Sequence, residues 1–201
     1  MKIVITEEQL NLLVSSQVEG LDVLMDEIIA KFPKVEEYKD KLIQFIVGSD
    51  CKKIEFATMQ HGAGGLSLHN AVLLNKYLLK DTLGTLLFII FHEIAHQYQF
   101  KKYGAEKMYE LYTGNLSVED AVEFLYNAEI TADEFAYRKC KEFHKLGLLD
   151  YVTDKRFYKR MSRQNLTAMY SSVKKIVSNR RNDSPEEISE ILYNFIKIKI
   201  E

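Results

Sequence analysis

Leu86-Leu87-Phe88-Ile89-Ile90-Phe91-His92-Glu93-Ile94-Ala95-His96 is the stretch from which the 201-residue chain is best read. Leu86 to Phe91 are apolar all round a helix, which predicts a central, buried one. The helical pattern starts at Asp81 or Thr82 and runs to about Tyr103, where Gly104 is a natural stop. His92 and His96 follow the apolar run at a spacing of four, which puts both on one helix face, about 6 Å apart at Cβ. Two imidazoles so placed reach one tetrahedral zinc. Glu93 sits one step round the helix, able to contact a water on the metal without ligating it, which suits a general base. By this chain's own His and Glu frequencies, the pattern arises by chance in about one such chain in a hundred. The competing reading is two histidines satisfied separately. Buried imidazoles need partners, however, and a shared metal supplies one.

A catalytic zinc takes a third protein ligand and keeps a fourth position open. Ser117 reads as the cap of a long helix ending near Gly147. On its wheel, Glu123, Asn127, Thr131, Glu134, Arg138, Lys141 and Lys145 form a solvated side. Val118, Val122, Leu125, Ala132, Ala136, Cys140 and Phe143 form the apolar side. Glu129 falls near the centre of the apolar side, with Asp133 at its edge one turn on. A carboxylate aimed into a core is costly unless it is paired or bound to a cation. Zinc explains Glu129; a salt bridge to a buried Lys or Arg is the alternative. Asp133 is then placed to take an N–H from a ligating histidine. His144, Glu123 and Glu119 are rival third ligands.

Working outward, Thr6-Glu7-Glu8-Gln9 reads as a capping box opening a helical region over 7–47, broken near Gly20 and at Phe32-Pro33. Residues 53–59 alternate as a strand, Gly62-Ala63-Gly64-Gly65 is a turn, and 66–74 reads as the returning strand of a hairpin. That hairpin either only covers the core or lines a cleft with its edge. A short helix is expected over 105–112 and two more over 154–201, the last opened by Ser184-Pro185-Glu186-Glu187. The expected organisation is a helical region 1–50, a metal-binding core 51–147 and a helical region 148–201 packed on it.

Net charge is −2, with 47% hydrophobic and 28% charged residues, which gives no electrostatic reason to expect a nucleic-acid partner. Ile3-Val4-Ile5 is too short for the apolar region of a signal peptide, and Leu86 to Phe91 is far below membrane-spanning length. Cys51 and Cys140 fit a reducing compartment. The expected location is cytoplasmic, away from membranes.

His92-Glu93-Ile94-Ala95-His96 followed by Glu129-Ile130-Thr131-Ala132-Asp133-Glu134-Phe135-Ala136 resembles the gluzincin-type metallopeptidases, in which an HExxH helix is joined by a Glu-x-x-x-Asp helix. The wording is most similar to small intracellular peptidases of the ImmA/IrrE type and to minimal relatives of the M48 peptidases. The resemblance covers about residues 54–145. It implies an α+β, helix-dominated zincin-like domain with a small antiparallel sheet, a zinc site between two helices, and helical N- and C-terminal extensions. It also implies His92, His96 and Glu129 as zinc ligands, Glu93 as base, Asp133 as orienter, and a protein or peptide substrate lying extended along an edge strand. The chain shows no helix-turn-helix signature and no Cys-rich zinc ribbon, and its terminal regions match no member.

The activity expected is zinc-dependent endopeptidase hydrolysis. The alternatives are a zinc-binding structural or regulatory protein without useful turnover, and an adaptor worked by the terminal helices. His61 and His69 flank the glycine turn as candidate oxyanion donors, as do Tyr98, Tyr109, Tyr112 and Tyr126 elsewhere. Cys140 reads as core. Lys52-Lys53, Lys101-Lys102 and Arg180-Arg181 read as solvated pairs.

Overall fold

The computed structural model describes residues 18–59, 64–110 and 117–152. The capping box at Thr6 and the helices expected over 154–201 lie outside these residues. Gly20, at φ +82°, starts helix α1, Leu21–Lys31. Leu21, Leu24, Met25 and Ile28 are buried, a single apolar face at helical spacing. The break expected at Phe32-Pro33 is present: Pro33 opens a 3-10 helix, Pro33–Tyr38, which leads into α2, Lys39–Val47, burying Leu42, Ile43 and Ile46.

Three strands follow: β1 Lys53–Ala57, β2 Gly65–Leu68 and β3 Ala71–Asn75, in the order β1-β3-β2. The sheet is mixed, not antiparallel as expected. β1 pairs parallel with β3, Ile54 opposite Val72; β2 pairs antiparallel with β3, Leu66 opposite Leu73. The stretch 66–74 is therefore itself a hairpin, turning at His69-Asn70, where Asn70 takes φ +63°. Asn tolerates that left-handed geometry better than most residues. Val72, Leu73 and Leu74 are all fully buried, the unbroken apolar run of a central strand covered on both faces.

Helix α3, Leu83–Tyr103, is capped by Thr82, whose side chain accepts the Thr85 N–H, and stops at Gly104, φ +81°. It is buried along most of its length, between the sheet and the last described helix. A single turn, α4 Ala105–Met108, opens the stretch expected to be a short helix, whose end at 111–112 lies outside the described residues. Helix α5, Val118–Lys145, is capped by Ser117, which accepts the Asp120 N–H. It ends in a Schellman turn: Leu148 N–H donates to Phe143 O and Gly147 N–H to His144 O, with Gly147 at φ +92°.

One apolar core joins the N-terminal helices, the sheet, α3 and α5, running from Val18 to Leu149. Phe91 of α3 stacks on Phe143 of α5 at 5.3 Å and meets Phe45 of α2 edge-on at 5.1 Å. Burying one such ring contributes about 2–3 kcal/mol. On α5, the small side chains of Ala132 and Ala136 are fully buried and let α3 approach closely. The fold is thus α+β, helix-rich around a small mixed sheet. No described helix is long and apolar enough to cross a membrane.

Candidate metal centre

His92 and His96 sit on adjacent turns of α3 with their ring centres 4.8 Å apart. Their Nε2 atoms face each other at 3.1 Å. Glu129, from α5, reaches both: Oε2 lies 3.2 Å from His92 Nε2 and Oε1 lies 3.4 Å from His96 Nε2. Among the described residues this is the one group of three ligand-bearing side chains close enough to share an ion.

The far side of each imidazole settles its tautomer. His92 Nδ1 lies 2.9 Å from Asp133 Oδ1, and a carboxylate oxygen accepts, so Nδ1 carries the hydrogen. His96 Nδ1 lies 2.8 Å from Gln99 Oε1. The Gln99 amide nitrogen is committed to Ala128 O at 2.9 Å and Thr131 Oγ1 at 3.0 Å, so its oxygen faces His96 and accepts there too. Both Nε2 atoms are left with lone pairs, pointed at each other and at a carboxylate. Two imidazole nitrogens and the two oxygens of one carboxylate, at 3.1–3.4 Å, require a cation or added protons between them. Ligand atoms on a tetrahedral ion with bonds near 2.0–2.1 Å stand about 3.3 Å apart, so His92, His96 and Glu129 fit such an ion.

Electrostatics say the same. Burial alone lowers the His92 pKa, but hydrogen bonds to Asp133 and Glu129 outweigh it and hold it well above 6.5. At His96 burial again opposes charge, and Glu129 reverses it. Burial pushes Glu129 up, yet the two imidazoles draw it far below the ordinary carboxylate range. The cluster demands positive charge. The imidazoles are 13% and 11% exposed and Glu129 35%, so the site opens to solvent on the Glu129 side.

Glu93 lies one position round the helix and is buried, 6% exposed. Burial raises its pKa, against the pull of His92 and His96. Its carboxylate lies against Gly65 at the start of β2.

Other expectations fall elsewhere. His144 is exposed, its Nδ1 2.6 Å from Leu149 O, and it does not belong to the cluster. Glu123 is exposed and Glu134 half-buried; neither belongs to the cluster. The His69 ring packs on Phe100, while the backbone N–H of His69 donates to Tyr109 Oη. Tyr98 packs between Phe45 and Phe135 in the core. His61, Tyr112 and the Glu119 side chain lie outside the described residues. Cys140 is buried core, its thiol pushed up to about 12 by desolvation. Gln99 escaped the sequence reading. A glutamine three residues past His96 looks like any solvated polar residue until α5 is laid beside it.

Asp133→Asn is expected to weaken metal affinity by roughly 10–100-fold, because the amide no longer secures the Nδ1–H tautomer. Gln99→Leu shifts it the same way through His96. Competition with a chromophoric chelator reads both; unchanged affinities would reduce these side chains to packing.

Comparison with protein-family models finds no match, and neither the curated proteins nor the solved structures yield one.

Proposed function

We propose that the protein is a zinc-dependent peptidase that cleaves peptide bonds by hydrolysis. The observation that carries this reading is the pairing of a three-ligand cluster with a buried carboxylate beside it. A purely structural ion has no use for Glu93.

His92, His96 and Glu129 would hold the metal, two imidazoles and one carboxylate being a catalytic zinc set that keeps one position open. The bound ion supplies Lewis acidity, polarising the scissile carbonyl and making water a nucleophile near neutral pH. Glu93 takes the proton of the attacking water and returns it to the leaving amine; burial moves its pKa toward the working range. Asp133 and Gln99 hold the imidazoles in the tautomer that offers Nε2.

β2 supplies a docking edge. Asn75 N–H donates to Gly64 O, so by antiparallel alternation the main-chain groups of Gly65 and Ser67 face away from β3. Among the described residues no strand pairs with that side. An extended peptide adding there would run past Glu93, which lies against Gly65.

The test is elemental analysis with digestion of a denatured protein. The expected result is about one zinc per chain and cleavage abolished by chelator. Protein that takes up no metal even when zinc is supplied sinks the reading. Stoichiometric zinc without cleavage of any unfolded substrate leaves the structural or regulatory alternative.

A further inference from the structure

We infer that Gly65 is a positioning residue for Glu93: its missing side chain is what sets where the base sits. This rests on the reading of Glu93 as base beside a bound metal. A Cβ placed on Gly65 would lie 2.6 Å from both Cγ and Oε1 of Glu93 and 2.8 Å from Cδ, too close to coexist. The neighbouring Gly64 behaves differently. Its Cβ would meet only Ile89 side-chain atoms, at 3.2–3.5 Å. Ile89 and Glu93 are one turn apart on α3, so the glycine pair lets β2 lie flush on that ridge.

Which side yields to an added methyl is decided by what holds the strand. β2 is paired to β3 along its length. The next residue on the same ridge, Gln97, is buried and fastens the hairpin from beneath. The two hydrogens of its amide nitrogen are shared among Ser67 Oγ, Leu68 O at 2.8 Å and Ala71 O at 3.2 Å. The strand cannot back away without breaking these bonds. The Glu93 carboxylate, at the end of a side chain with three rotatable bonds, moves instead. All three clashing atoms, Cγ, Cδ and Oε1, belong to the outer half of that side chain, so the added methyl displaces the carboxylate from the place it holds beside the ligands.

Three measurements on the full chain test this, comparing wild type, Gly65→Ala, Gly64→Ala, Glu93→Ala and the Gly65→Ala/Glu93→Ala double variant. Gly65→Ala is expected to keep metal yet lose about 100-fold in kcat with KM little changed, since a base misplaced by about 1 Å costs that much. Gly64→Ala should stay within a few-fold of wild type. In the cobalt-substituted protein, Gly65→Ala should shift the visible absorption and Gly64→Ala should not. Gly65→Ala should also lower the melting temperature in the wild-type background and spare it in the Glu93→Ala background, where the methyl finds room. Additive melting effects, or an unchanged cobalt spectrum and kcat, overturn the inference. The melting cycle and the spectrum need no turnover. If both come out as expected while no substrate is cleaved, the positioning contact stands and the peptidase reading falls.

Discussion

Glu129→Ala is expected to lose tight zinc binding and, with it, the gain in melting temperature that zinc gives the wild type. Its two carboxylate oxygens each approach a different imidazole, at 3.2 and 3.4 Å, so its removal leaves only a facing pair of Nε2 atoms. An ion bound only by the folded state, at 100 to 1,000 times its Kd, adds about 3–4 kcal/mol. For a chain of this size that is roughly 5–15 °C. Melts with and without chelator read it directly. Glu123→Ala, an exposed substitution on the same helix, should keep the full shift. Should Glu129→Ala keep it as well, the centre as drawn is wrong, and His144, which lies outside the cluster, does not rescue it.

Local signals were the legible part of the fold. Thr82 and Gly104 bound α3, and Ser117 and Gly147 bound α5, because caps act within one turn and leave residue-type signatures. The sheet was not legible in the same way. Whether 53–57 pairs with 65–68 or with 71–75 is decided by which run is buried on both faces, a tertiary property. Val72-Leu73-Leu74 carried the clue, an unbroken apolar run where a half-exposed strand would alternate. His69-Asn70 carried the other, since Asn tolerates the left-handed turn that splits the stretch in two.

The same division holds at the site. His92, His96, Glu129 and Asp133 could be brought together on paper because helix periodicity alone fixes which side chains share a face. Even so, Glu129 is not sunk in the apolar side of α5 as its wheel position suggests. It is about a third exposed, on the solvent side of the cluster, while Ala132, Ala136 and Cys140 carry the packing beyond it. Gln99 and Gly65 were beyond reach for the opposite reason. Each matters through a contact between elements far apart in sequence: Gln99 with α5 and Gly65 with α3. A wheel drawn for one helix contains neither.

Glu93→Gln is expected to keep zinc and fold while hydrolysis falls by about 100- to 10,000-fold, the span that general-base catalysis contributes. The amide is nearly the same size and shape, so the close fit against Gly65 survives, but it cannot accept the water's proton. Stability should not suffer. Burial raises the Glu93 pKa above its usual 4.5, so the folded state holds its proton more tightly than the unfolded chain. The stability linked to that proton is present below about 4.5 and lost as pH rises through the raised value. The neutral amide has no such loss. In metal-free protein the variant should therefore gain on the wild type in melting temperature as pH climbs through that window. Metal content, melts across pH and peptide turnover on the two proteins separate the possibilities. Retained turnover removes Glu93 as base whatever the metal does. Lost zinc would make Glu93 a ligand and the three-residue centre incomplete. Only loss of turnover with zinc, fold and the pH-dependent gain intact matches a carboxylate that is held apart from the ion to move protons.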